Sequence, residues 1–181
     1  MSKYSYQSII KSRCKYYSRE HGLTLNATLE MAAKSVGFTS FHDLSQVSKS
    51  NPHDIRLMRL ALGFNKLEEA IYEGDILQEL DQIVENEMSG AMAETNATFF
   101  MIENLVPENA VYDCTNGHIK LDINFDWQGE QDEDRPWSGS EFNIDAIVTL
   151  VYRSNEWKLH RQDGLEILHY DSDYDRQPYF E

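Results

Sequence analysis

The chain has 181 residues and a formal net charge of −15, with 41% hydrophobic and 12% aromatic side chains, four Pro and nine Gly. This composition supports a packed core, excludes a collagen-like or low-complexity chain, and contains no apolar run near the roughly 18–20 residues that span a bilayer. Two cysteines, Cys14 and Cys114, are too few for a disulfide framework, and the start has no apolar leader segment. The expectation is a cytoplasmic protein with no membrane attachment.

The first helix is expected over residues 4–20, with Tyr6, Ile9, Ile10, Cys14 and Tyr17 at helical spacing and Lys11, Lys15 and Arg19 lining another face. His21-Gly22 ends it. A second helix covers about 26–36 and closes at Gly37, and Thr39 or Ser40 caps a short third helix carrying Phe41, Leu44 and Val47. Asn51-Pro52 signals a fourth start, with Asn as cap, Pro in the first helical position, and Ile55, Met58 and Leu62 facing inward. Residues 65–73 read as one or two further turns. The clearest helix is 76–88, where Ile76, Leu77, Leu80, Ile83, Val84 and Met88 form one apolar stripe opposite an acidic face.

From about residue 97 the period changes to two. Ala97–Ile102 reads as a first strand. Val111–Asp113 reads as the partner, across Asn116-Gly117, of a strand in which Ile119, Leu121, Ile123, Phe125 and Trp127 alternate with polar residues. Ile144–Tyr152 fits a central strand, Ser154-Asn155 a short turn into Trp157 and Leu159, and Leu165–Tyr170 a last strand. Helices followed by antiparallel strands predict an α+β fold, a helical segment and then a meander sheet covered by the amphipathic helix.

Charge divides the chain earlier, near residue 64. Residues 1–64 hold nine basic and four acidic groups, net +5, and the remaining residues hold seven basic and 27 acidic groups, net −20. Two units are therefore expected, a basic helical one over 1–64 and an acidic α+β one over 65–181.

Within the basic unit, Thr28-Leu29-Glu30-Met31-Ala32-Ala33-Lys34-Ser35-Val36-Gly37-Phe38-Thr39-Ser40-Phe41-His42-Asp43-Leu44 resembles a small helical module of bacterial and plasmid-borne proteins assigned to the glyoxalase superfamily. Phe41-His42 stands where that module usually has Trp-Asn, and no β-domain motif brings metal or glyoxalase chemistry with it. The same segment is similar, less closely, to part of the AraC-type helix-turn-helix. That second resemblance implies a DNA reader presenting Ser40, His42, Gln46 and Lys49, to which Lys11, Lys15 and Arg19 add phosphate contacts.

There is no phosphate-binding Gly-rich loop, GxSxG, HExxH or dinucleotide fingerprint, so no cofactor is implied. One polar strand face carries His118, Lys120, Asp122, Asn124 and Asp126, and a later one carries Glu156, Lys158 and His160. If those strands are neighbours, His118, Asp122, Asp126, Glu156 and His160 converge as a divalent-metal site or a general acid–base pair. Three readings follow. The first is a non-enzymatic binding protein whose basic half meets nucleic acid or an acidic partner while its acidic half binds protein or dimerises. The second is an acidic interaction module that mimics nucleic acid, and the third is a small enzyme built on the His/Asp/Glu set.

Overall fold

The computed structural model describes residues 2–175. Its first four helices begin where short polar side chains cap them. Ser5 accepts from the Ser8 amide to open α1 (Tyr6–Glu20), and Thr24 accepts from Ala27 to open α2 (Leu25–Ser35). Ser40 accepts from Asp43 to open α3 (Phe41–Ser50). Gly37 turns the chain between α2 and α3 at φ +88°, a left-handed conformation that favours glycine. Phe38 then fills the corner.

α4 (Ile55–Leu62) corrects the expected start at Asn51-Pro52. Asp54 takes the cap instead. Its carboxylate accepts from the Arg56 amide at 2.9 Å and grips the Arg56 guanidinium through Nε and Nη2 at 3.0 and 2.9 Å. Leu57, Met58, Ala61 and Leu62 are buried, whereas Ile55, expected inward, is 55% exposed. A 3-10 helix over Leu67–Tyr72 leads to α5 (Ile76–Glu87) and the short α6 (Ser89–Met92).

The strands are β1 (Ala97–Asp113), β2 (His118–Gln131), β3 (Glu141–Arg153), β4 (Glu156–Leu159) and β5 (Leu165–Ser172). They form one antiparallel sheet in the order β1-β2-β3-β4. β5 also pairs with β3, so that β4 takes Leu150–Arg153 and β5 takes Phe142–Val148 along the same strand. The α+β expectation holds.

The two short strands expected at 97–102 and 111–113 are a single strand. β1 runs 17 residues through Asn104 and Pro107 because it lies at the sheet edge and absorbs them in register shifts, with Phe99 and Asn104 at φ +53° and +50°. Its free side is partly occupied. The Ile102 amide donates to Asp81 Oδ1 of α5 at 3.0 Å, and the Tyr72 hydroxyl donates to the Leu105 carbonyl at 3.4 Å.

A single hydrophobic cluster draws on both charge halves. Ile9, Ile10, Leu29, Leu44 and Leu57 belong to it, as do Leu80 and Val84 of α5 and the inward row Ile119, Leu121, Ile123, Phe125 and Trp127 of β2. Each large apolar side chain buried in this way contributes about 1.5–3 kcal/mol. Tyr6 stacks on Tyr112 with ring centroids 5.4 Å apart, and the Tyr112 hydroxyl donates to the Tyr4 carbonyl at 2.7 Å, tying α1 to β1. Burial pushes the Tyr6 hydroxyl up to a pKa of about 12 and raises that of Tyr112 as well.

Candidate functional site

At 100° per residue, Ser8, Lys11, Ser12, Lys15 and Arg19 fall within a sector about 100° wide on α1, opposite the buried Tyr6 and Ile10. Lys11, Lys15 and Arg19 follow one another at a helical rise of about 6 Å. No carboxylate shares the sector. At its N-terminal end lies a cavity of about 480 Å³ lined by Lys3, Tyr4, Ser8, Ser12, Arg153 and Ser154 among others, again without a carboxylate. Lys3 Nζ and Arg153 Cζ sit 5.5 and 5.1 Å from the centre of the Tyr4 ring. Ser154 and Asn155 form the β3–β4 turn with both residues at positive φ, which brings this end of the sheet against α1.

The carboxylates of the helical half are consumed locally. Glu30 Oε1 accepts from the Phe41 amide at 3.2 Å, and Asp43 Oδ2 accepts from the amide and hydroxyl of Thr39 at 3.0 and 3.1 Å. Those bonds hold the Asp43 carboxyl below the usual aspartate range, as the Arg56 side chain does for Asp54. Arg56 is engaged in turn, paired with Asp54 at 2.9 Å and stacked 4.1 Å from the Phe38 ring. Among the described residues, Lys15, Arg19, Lys34, Lys49 and Arg59 have no ion pair, and none joins residues 2–64 to the acidic remainder.

α3 lies against this ridge. Lys11 Nζ is 5.8 Å from the Phe41 ring centre, and Gln7 Nε2 donates to Ser45 Oγ at 2.9 Å. The α3 residues expected to read bases are differently employed. Ser40 is the cap, His42 and Gln46 bond each other at 3.3 Å, and Lys49 is exposed. With Asp43 on its first turn and the α2 carboxylate of Glu30 on the Phe41 amide, α3 presents a neutralised N-terminus, so the positive charge comes mainly from α1.

The strand-face set is brought together only in part. His118 and His160 meet edge to face with ring centroids 5.3 Å apart, and burial, then Arg153, then His160 lower the His118 pKa. Asp122 instead accepts from Asn109, Asp126 accepts from Asn104 and Asn143, and Glu156 pairs with Lys158. The pairing explains the scatter. β4 faces only the Leu150–Arg153 end of β3, across from His118, whereas Asp122 and Asp126 lie opposite Ile147 and Asn143, beside β5. Among the described residues, no three His, Cys, Asp or Glu side chains are placed to hold a metal ion. No described helix is long and apolar enough to cross a membrane.

The sequence reading did not single out Lys3, Tyr4, Ser8, Ser12, Arg153 or Ser154 as a group, because they are assembled from the first twelve residues and a turn 140 residues later. A wider groove of about 590 Å³ runs beside α1 and α2, with Cys14, Tyr16, Tyr17 and Met31 among its walls. Burial raises the Cys14 thiol pKa, which disfavours the thiolate needed of a nucleophile. No protein-family model, curated protein or solved structure matches the chain.

Proposed function

We propose that this is a non-enzymatic nucleic-acid-binding protein that contacts phosphates through the solvent face of α1. The observation carrying this reading is the carboxylate-free ridge of Lys11, Lys15 and Arg19, continued at one end by the Lys3–Arg153 cavity. Lysine and arginine held at regular spacing and, among the described residues, without ion pairs neutralise successive phosphates and release counterions. The serine hydroxyl at 12 supplies a further phosphate donor, and Lys49, His42 and Gln46 of α3 lie beside the path. The strongly acidic sheet half repels the rest of the polymer, which confines contact to the helices and leaves the sheet for protein contacts.

The test is fluorescence anisotropy of labelled single- and double-stranded oligonucleotides with the full chain, repeated across salt. Binding is expected to weaken with a log–log slope of about −0.9 per phosphate on duplex, or −0.7 on single strands. Absence of binding to either polymer at low salt overturns the proposal and returns the ridge to an acidic protein partner.

A further inference from the structure

The cavity of about 480 Å³ at the N-terminal end of the α1 ridge is built differently from the ridge itself. Lys11, Lys15 and Arg19 are exposed on a convex helix, whereas the cavity is a recess between the chain's first residues and the β3–β4 turn. Its walls are pinned on both sides. The Ser2 hydroxyl donates to the Cys114 carbonyl, the Tyr4 amide donates to Ser2 Oγ at 3.1 Å, and the Tyr4 carbonyl accepts from Tyr112 at 2.7 Å. Gly117 lies so close that a Cβ there would meet the Tyr4 ring at 2.6 Å. Across the recess, Arg153 Nη1 donates to the Asn116 and Tyr152 carbonyls at 3.0 and 2.8 Å, which fixes the guanidinium. Lys3 and Arg153 both lie within 5.5 Å of one ring centre, that of Tyr4, and no carboxylate lines the cavity. Among the described residues neither cation has an ion pair, and the Ser12 and Ser154 hydroxyls, also in the lining, have no hydrogen-bond partner. Two like charges gathered on one ring repel each other, and an anion seated beside them relieves that repulsion.

We infer that this cavity seats the terminal phosphate of a nucleic-acid strand whose following phosphates lie along α1, an inference that rests on the proposed phosphate-binding ridge. A phosphodiester carries one charge and is met by a single exposed cation. A terminal phosphomonoester carries close to two charges at neutral pH and three acceptor oxygens, so it rewards a recess where two cations and two hydroxyls meet. The volume lies in the range of small-ligand sites. The first residues and the β3–β4 turn stand at the end of the ridge, so the recess takes the end of a strand.

Fluorescence anisotropy tests this with the full chain and one internally labelled single strand carrying a 5′-phosphate, a 3′-phosphate or hydroxyl ends. A phosphate at one end, and not at the other, is expected to tighten binding about tenfold over the hydroxyl-ended strand, as the gain of charge-assisted hydrogen bonds implies. Lys3→Ala is expected to bring that ratio near one, whereas Lys11→Ala weakens both forms alike and keeps the ratio. If the hydroxyl-ended strand binds with the expected salt slope but a phosphate adds nothing, or adds equally at both ends, the inference falls and the ridge stands. It falls likewise if Lys3→Ala keeps the ratio, or if a nucleoside monophosphate at micromolar concentration erases the advantage, which assigns the cavity to a free phosphomonoester. If no strand binds at low salt, the ridge reading falls and takes the inference with it.

Discussion

The helical and sheet regions use the same charged residues in opposite ways. In the helices, carboxylates are fasteners: Glu30 holds the Phe41 amide, Asp43 holds Thr39, and Asp54 holds Arg56, while Lys15 and Arg19 of α1 have no ion pair among the described residues. In the sheet, cations are the fasteners. Lys158 pairs with Glu156, Arg135 pairs with Asp132 at 3.2 Å, and Arg153 donates to the Asn116 and Tyr152 carbonyls. The sheet's carboxylates are arrayed across its outer face on an asparagine lattice. Asn124 and Asn143 bond each other and reach Asp145 and Asp126 at 2.8 Å each, and Asn104 reaches Asp126 at 2.9 Å. The comparison teaches that net charge alone does not locate a binding surface. A chain of −15 keeps an available cationic ridge because the few acids near that ridge are engaged elsewhere.

The contrast is one of surface, since the interior is shared, and that supplies the largest expected effect. Leu80→Ala, beneath the sheet, and Leu57→Ala, among the helices, are each expected to lower stability by about 2–5 kcal/mol. Both should move the same unfolding midpoint, followed in urea by tryptophan fluorescence and far-ultraviolet circular dichroism together. Two separated transitions would break the idea of a common core.

A smaller effect reports on the seam. Tyr112→Phe keeps the stack on Tyr6 and removes the hydroxyl bond to the Tyr4 carbonyl, so a loss of about 0.5–1.5 kcal/mol in the same urea experiment is expected.

How far the sequence announced this arrangement differs by element. The β2 face was legible because strict alternation from Ile119 to Trp127 admits one burial pattern, and α5 because its apolar stripe has one helical period. β1 was not, because Asn104 and Pro107 read as strand breakers and become tolerable only on an edge that can bulge. The α4 start was masked by Asn51-Pro52, a good local signal that lost to the two-point Asp54–Arg56 fork. For the site, Lys11, Lys15 and Arg19 were legible as a helical stripe. The Lys3–Arg153 cavity was not, because it depends on how the β3–β4 turn lands against α1. The His118–His160 contact followed from strand faces, but its dispersal from Asp122 and Asp126 depended on how β4 and β5 divide the length of β3.

The smallest expected effect concerns pH and sharpens the fastener role of the helical acids. The Asp54 carboxyl is depressed in the folded chain, so its contribution is present above the unfolded aspartate value of about 4 and is lost as pH falls through the lower folded value. Asp54→Asn is therefore expected to flatten the acid limb of a stability–pH curve measured by urea midpoints below about pH 4, with little change in its shape near neutrality. An unchanged acid limb would show that the Arg56 fork contributes no pH-linked stability.

The most direct test of the central claim sets the two regions against each other in one assay. Two full-length triple variants, Lys11→Ala/Lys15→Ala/Arg19→Ala on the helix and Lys120→Ala/Lys158→Ala/Arg161→Ala on the sheet side, would be titrated against the same oligonucleotides across salt. Loss of binding in the first variant alone, with a salt slope shallower by about 2–3 units, is the predicted result. Equal losses in both variants, or undiminished binding by the first, would contradict it.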